Sequence, residues 1–259
     1  MILDNLTRAF KTQNWLAVAT EFVIVIAGVV IGFQVSAWNE QREAVARAEV
    51  LTVRLIEDLR AERWRVDGVD FYNAQVAANA RRAIEALEGR RTVDDEMLVI
   101  EAFRATQIYI FPIIRPTYDE LVATGTISLI ADPALIAVAT EYYSTAFEEI
   151  GTLDPDRPYR RAFFELADQA LFLSLADSCG ESPDIMIGDY AALPQILDFP
   201  CEIDGHDAAI AALAERLRES DVILPLLRHR AIEAAIESRS QLYWQDMFMR
   251  VLGPLEQAP

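Results

Sequence analysis

From Phe22 to Phe33 the chain reads FVIVIAGVVIGF, a run without a single charged or amide side chain, inside a longer proline-free stretch from Trp15 to Trp38. No surface helix of a soluble protein is apolar all round, so a run of this kind needs either a large core or lipid around it. At about 1.5 Å per residue a helix over 15–38 is roughly 36 Å long, enough to cross a hydrocarbon layer of about 30 Å with its ends at the interfaces. The tryptophans at its two ends suit the aromatic belts of a bilayer. A cleavable leader fits less well, because the polar segment before the run is long and no small-x-small site lies between the end of the run at Phe33 and Trp38. The expectation is a tail over 1–14, a transmembrane helix over 15–38 and a soluble domain over 39–259.

Orientation does not follow from charge. Arg8 and Lys11 precede the apolar run, and Arg42, Arg47 and Arg54 follow it. Long domains cross membranes largely regardless of such counts. Cys179 and Cys201 are the only cysteines, in a segment punctuated by Gly180, Pro183, Gly188, Pro194 and Pro200. One disulfide within the domain is the economical pairing and would favour an oxidising compartment; two buried free thiols are the alternative. The expected topology therefore puts the N-terminus in the cytoplasm and the large domain in the periplasm.

Within the span, Glu21, Val25, Gly28, Gly32 and Val35 recur at spacings of four and three and share one stripe of a helix. Gly28 and Gly32 form a G-x-x-x-G, which lets a second helix approach closely, and a carboxyl on the same stripe favours protein or water over lipid. The plainer reading is that glycine is common in membrane helices and that Glu21 lies near one interface. The formal charge of −18 belongs to the part beyond the span, since Asp4 and Glu21 balance Arg8 and Lys11. Such a body repels phosphate backbones, so nucleic acid is not an expected partner.

Beyond Trp38 no glycine or proline interrupts the chain before Gly68, and Ala48, Leu51, Leu55 and Leu59 keep a helical spacing that Val76, Ala80, Ile84 and Leu87 resume. The membrane helix should thus continue outward to Gly89, with a bend near Gly68 allowed. Capping signals place further helices near 93–106, 117–125 and 133–150: Thr92 with Asp95, Thr117 with Glu120, and Asp132 before Pro133, with Gly125 and Gly151 as stops. Helices over 158–177, 205–219 and 222–251 complete an all-α bundle. In the last, Ile232, Ile236, Leu242, Tyr243 and Met247 are expected to face inward. Residues 108–114 read as an extended connector.

Two blocks of the chain resemble a family of uncharacterised bacterial single-span membrane proteins. The first is the end of the apolar helix, where Gln34, Trp38, Asn39 and Glu40 match a Gln-x-x-x-Trp-Asn-Glu hallmark. The second carries Pro116, Tyr118, Glu120, Leu121, Gly125, Leu129, Ile130, Asp132, Tyr142 and Tyr143. The resemblance covers the first two-thirds of the chain and implies an anchored helical domain with no established activity; the expected location is the bacterial inner membrane. It transfers no catalytic or ligand-binding residue.

Catalytic chemistry has little to draw on. His206 and His229 are the only histidines. His206 stands beside Asp204 and Asp207, but aligning Gly205 with the sixth place of a calcium loop puts Pro200 first and Ala211 twelfth, neither of them a ligand. A helix N-cap at Asp204 or Asp207 accounts for that cluster. His229 lies between two arginines on a helix and reads as a surface or packing residue. No nucleophile elbow, phosphate loop, dinucleotide fingerprint or zinc spacing occurs. The expected function is therefore non-catalytic, without cofactor or metal: a membrane-anchored interaction protein that self-associates or joins an envelope complex. The alternative is a small-ligand binder or sensor using Tyr118, Tyr142, Tyr143, Phe163 and Phe164, and an enzyme ranks third.

Overall fold

A computed structural model describes residues 15–109, 113–145, 157–182 and 185–256. The protein is all-α: 78% of the described residues are helical and none of them is in a strand. The first helix, α1 (Trp15–Leu87), is continuous over 73 residues and runs through Gly68 without interruption. It ends where Gly89 takes a positive φ of 72°. There the N–H groups of Glu88, Gly89 and Arg90 return to the carbonyls of Ile84, Ala86 and Glu85, closing the last turn as a glycine stop does.

The described residues fall into two compact units. One takes in the chain up to Thr52 together with Leu121–Ile130. Its apolar part, Val18 onward, is the one helical stretch among the described residues long and apolar enough to cross a membrane, with a mean hydropathy of 2.2 in its most apolar window and none of that window buried. At the end of this stretch the Arg42 guanidinium lies 4.8 Å from the Trp38 ring, one turn on, where a cation and an indole attract. Buried side chains of this unit include Ala48, Leu51, Leu121 and Ile130. The expected tail over 1–14 lies outside the described residues.

The second unit spans Val53–Glu120 and Ala131–Pro259. Its centre is α2 (Asp95–Ala105), in which every residue from Leu98 to Ala105 is buried. Around it pack α5 (Pro158–Leu166), α6 (Gln169–Cys179), α7 (Asp207–Glu219) and α8 (Ile223–Ser240). Phe103 meets Phe163 and Phe172 in this core, and Leu171, Leu175, Leu213, Leu217 and Leu227 fill the remainder. Two further helices, α3 (Pro116–Ala123) and α4 (Pro133–Ser144), follow α2 in the chain, and α9 (Leu242–Glu256) packs on α4.

Several helix ends differ from the spacing-based expectation. The N-cap of α2 is Asp94, whose Oδ1 accepts the Met97 N–H at 2.7 Å, so the Thr92–Asp95 pair caps nothing. Pro116 already opens α3, which leaves Thr117 inside the first turn. Asp132 caps α4 as expected, accepting from Ala134 and Leu135. The stretch 158–177 is two helices, because Asp168 caps a new one by accepting from Ala170 and Leu171. Asp207 is the first residue of α7, and His206 stands at its N-cap without a side-chain bond.

The C-terminal region departs most. It is two helices, α8 and α9, divided at Gln241. Ile232, Ile236, Leu242 and Tyr243 are exposed, and of the expected inward set only Met247 is buried. The buried face of α8 is instead Ile223, Leu227, Arg230, Ala231 and Ala234. Arg230 can lie inward because its guanidinium donates to the carbonyls of Ala105 and Gln107 and to Glu237.

Candidate functional site

The five stripe residues of the span, Glu21, Val25, Gly28, Gly32 and Val35, are all exposed. A Cβ built on Gly28 or Gly32 meets no described atom within 4 Å. The other sides of the helix are no more polar, with Phe22, Ile24, Ile31 and Phe33 equally open. What distinguishes the stripe is its low relief.

In the second unit the sequence closes a loop chemically. Cys179 at the end of α6 and Cys201, 22 positions further along the chain, form a disulfide with their Cα atoms 5.4 Å apart. Arg104 of α2 braces both ends: its Nε donates to the Cys179 carbonyl at 3.1 Å and its Nη2 to the Phe199 carbonyl at 2.7 Å. A second clamp comes from α1. The Gln75 amide nitrogen donates to the carbonyls of Leu193 and Pro194, and its oxygen accepts the N–H groups of Leu197 and Asp198, each at 2.8 Å. Across the loop, the Ser182 N–H donates to the Ile196 carbonyl at 3.0 Å.

These restraints shape a recess of about 330 Å³ lined by Trp64, Tyr109, Glu181, Ser182, Ile185 and Ile196. Trp64 comes from α1 and Tyr109 from the connector after α2, where Tyr72 stacks against it with ring centroids 5.1 Å apart. Trp64 is almost wholly buried, and its indole N–H has no partner among the described residues. Glu181 is exposed at the rim, yet enough protein surrounds its carboxyl that burial holds it above the usual carboxylate range.

A second polar centre lies in the same unit at Glu62, which is fully buried. It accepts from Arg65, from the Tyr142 hydroxyl at 2.7 Å and from the Ile114 N–H at 3.2 Å. Burial nonetheless outweighs these donors and raises its carboxyl. The Tyr142 ring contacts Tyr143, Trp244 and Phe248, and Tyr143 packs on Tyr118. The three tyrosines suggested by sequence for a ligand pocket thus form a closed aromatic core around a carboxylate and do not line the recess. Phe163 belongs to the core around α2, and Phe164 packs edge-on against Phe172.

No family model, curated protein or solved structure matches this chain. The arrangement of its own residues is what bears on function. Among the described residues no three His, Cys, Asp or Glu side chains gather where they could hold a metal ion. The residues of the recess carry no joint signal in the sequence because they come from three distant stretches. The one feature pointing toward them is the cysteine pair, which marks 179–201 as a fixed loop.

Proposed function

We propose that the chain is a single-pass bacterial inner-membrane protein, N-terminus in the cytoplasm and acidic helical body in the periplasm, that works without catalysis as a self-associating or accessory subunit of an envelope assembly. The observation that carries this reading is the apolar stretch of α1, whose most apolar part is wholly unburied among the described residues and which continues along the chain in one uninterrupted helix. Lipid is the first partner of such a surface. A second helix seated on Gly28 and Gly32 is the next, since open glycines permit backbone approach. The disulfide supports the periplasmic side, because such bonds persist in oxidising compartments. The resemblance to single-span membrane proteins, carried by Gln34, Trp38, Asn39 and Glu40, agrees with this arrangement.

Replacing Gly28 and Gly32 together by leucine tests the assembly. The double variant, solubilised gently and sized beside the parent, is expected to run as a smaller species or to lose a co-purifying membrane partner. Identical size and partners would remove the basis for the stripe. A second reading, a periplasmic ligand binder, is favoured by one observation: the recess under the disulfide loop, of a volume within the usual range for small-molecule sites.

A further inference from the structure

Resting on that second reading, we infer that the recess binds a small organic ammonium ion, held between the Glu181 carboxylate and the aromatic side chains of Trp64 and Tyr109. Among the described residues the lining consists of two aromatic rings, one carboxylate, one hydroxyl and two aliphatic side chains. Among the described residues no arginine lines it. Glu181 has no ion pair or side-chain hydrogen bond among the described residues, although partial burial makes its unpartnered charge costly. A cation brought to it relieves that cost. Indole and phenol rings attract cations through their faces, indole most strongly, while the aliphatic walls of Ile185 and Ile196 suit a hydrocarbon body.

The alternatives fit less well. An inorganic divalent ion needs several oxygen ligands, and the described lining offers one carboxylate. An anion would meet Glu181 and a body that carries the chain's whole charge of −18. The guanidiniums whose charge reaches Tyr109 and its neighbour Tyr72 are engaged elsewhere: Arg65 with Glu62, Arg230 with Glu237 and two carbonyls, and Arg160 over the Phe164 ring. A volume near 330 Å³ lies at the small end of the range for small-molecule sites, which suits a small organic cation. The Gln75 clamp and the disulfide hold the wall in place before binding, so little ordering cost falls on the ligand.

The test is calorimetric titration of the full chain in detergent with choline and with phenethylammonium, each beside an uncharged isostere of the same shape. Each ammonium ion is expected to bind at least about tenfold more tightly than its isostere. Glu181→Gln is expected to abolish that preference, and Glu215→Gln, at an exposed α7 carboxylate outside the recess, to leave it intact. Equal binding of ion and isostere, unchanged in Glu181→Gln, would overturn the ammonium inference while keeping a ligand-binding recess. Failure of all four probes to bind would overturn both, provided the parent and Glu181→Gln chains show the same cooperative unfolding.

Discussion

The Gln75 side-chain oxygen accepts the Leu197 N–H at 2.8 Å, joining a residue of the long helix to one that lies 122 positions further along the chain. With its other three bonds, to Leu193, Pro194 and Asp198, this single amide satisfies backbone groups at and just beyond a single 3-10 turn, Leu193–Gln195. A buried donor or acceptor left alone costs about 1–3 kcal/mol.

Gln75→Leu keeps the size of the side chain and removes all four bonds. The variant should be destabilised by at least about 2 kcal/mol in urea unfolding, and amide exchange should accelerate at Leu197 and Asp198 ahead of the α2 core. Unaltered protection of those two amides would show that the loop is held by something else.

The disulfide makes an independent contribution. Closing a loop of 22 residues removes entropy from the unfolded chain worth about 3 kcal/mol in the chain-entropy model. The Cys179→Ala/Cys201→Ala pair should lose roughly that much stability while α2 and its phenylalanine core stay intact by near-ultraviolet dichroism. A loss under about 1 kcal/mol would mean that Arg104 and Gln75 already confine the loop.

Acid-range behaviour should carry the mark of Glu62. Burial raises its carboxyl above the ordinary 4.5, more than Tyr142, Arg65 and the Ile114 N–H lower it. The native state therefore holds this proton more firmly than the unfolded chain does. The contribution of this group is fully present below pH 4.5 and is lost as pH rises through the native value. Glu101, buried beside Arg82 and Arg91, is raised for the same first reason and acts in the same direction. Glu62→Gln should flatten the decline of stability with pH above about 4.5 relative to the parent. A parallel decline in the two proteins would contradict the assignment.

Residues whose effect is local are legible in the sequence itself. Asp132 with Pro133 starts α4 and Gly125 stops α3, because a cap or a positive φ is decided within one turn. The long helix is legible for a related reason: nothing in its sequence breaks it. The inward face of α8 is not. Its amphipathic pattern is weak because Arg230 faces the core, made tolerable by carbonyls of Ala105 and Gln107 more than a hundred positions away, while Ile232 and Ile236 stay outside. The recess is hidden likewise, since Trp64, Tyr109 and Glu181 come from distant stretches joined by contacts such as the Gln75 clamp and the disulfide. Long-range satisfaction of polar groups leaves no periodicity in a sequence.

Lipid embedding of the apolar stretch of α1 underlies the proposed location and partnering. Alkaline carbonate extraction of membranes containing the full chain, followed by flotation of the pellet through a density gradient, tests it most directly. The protein should stay with the membranes and rise with the lipid. Release of the intact chain into the carbonate supernatant, or its failure to float, would contradict the account.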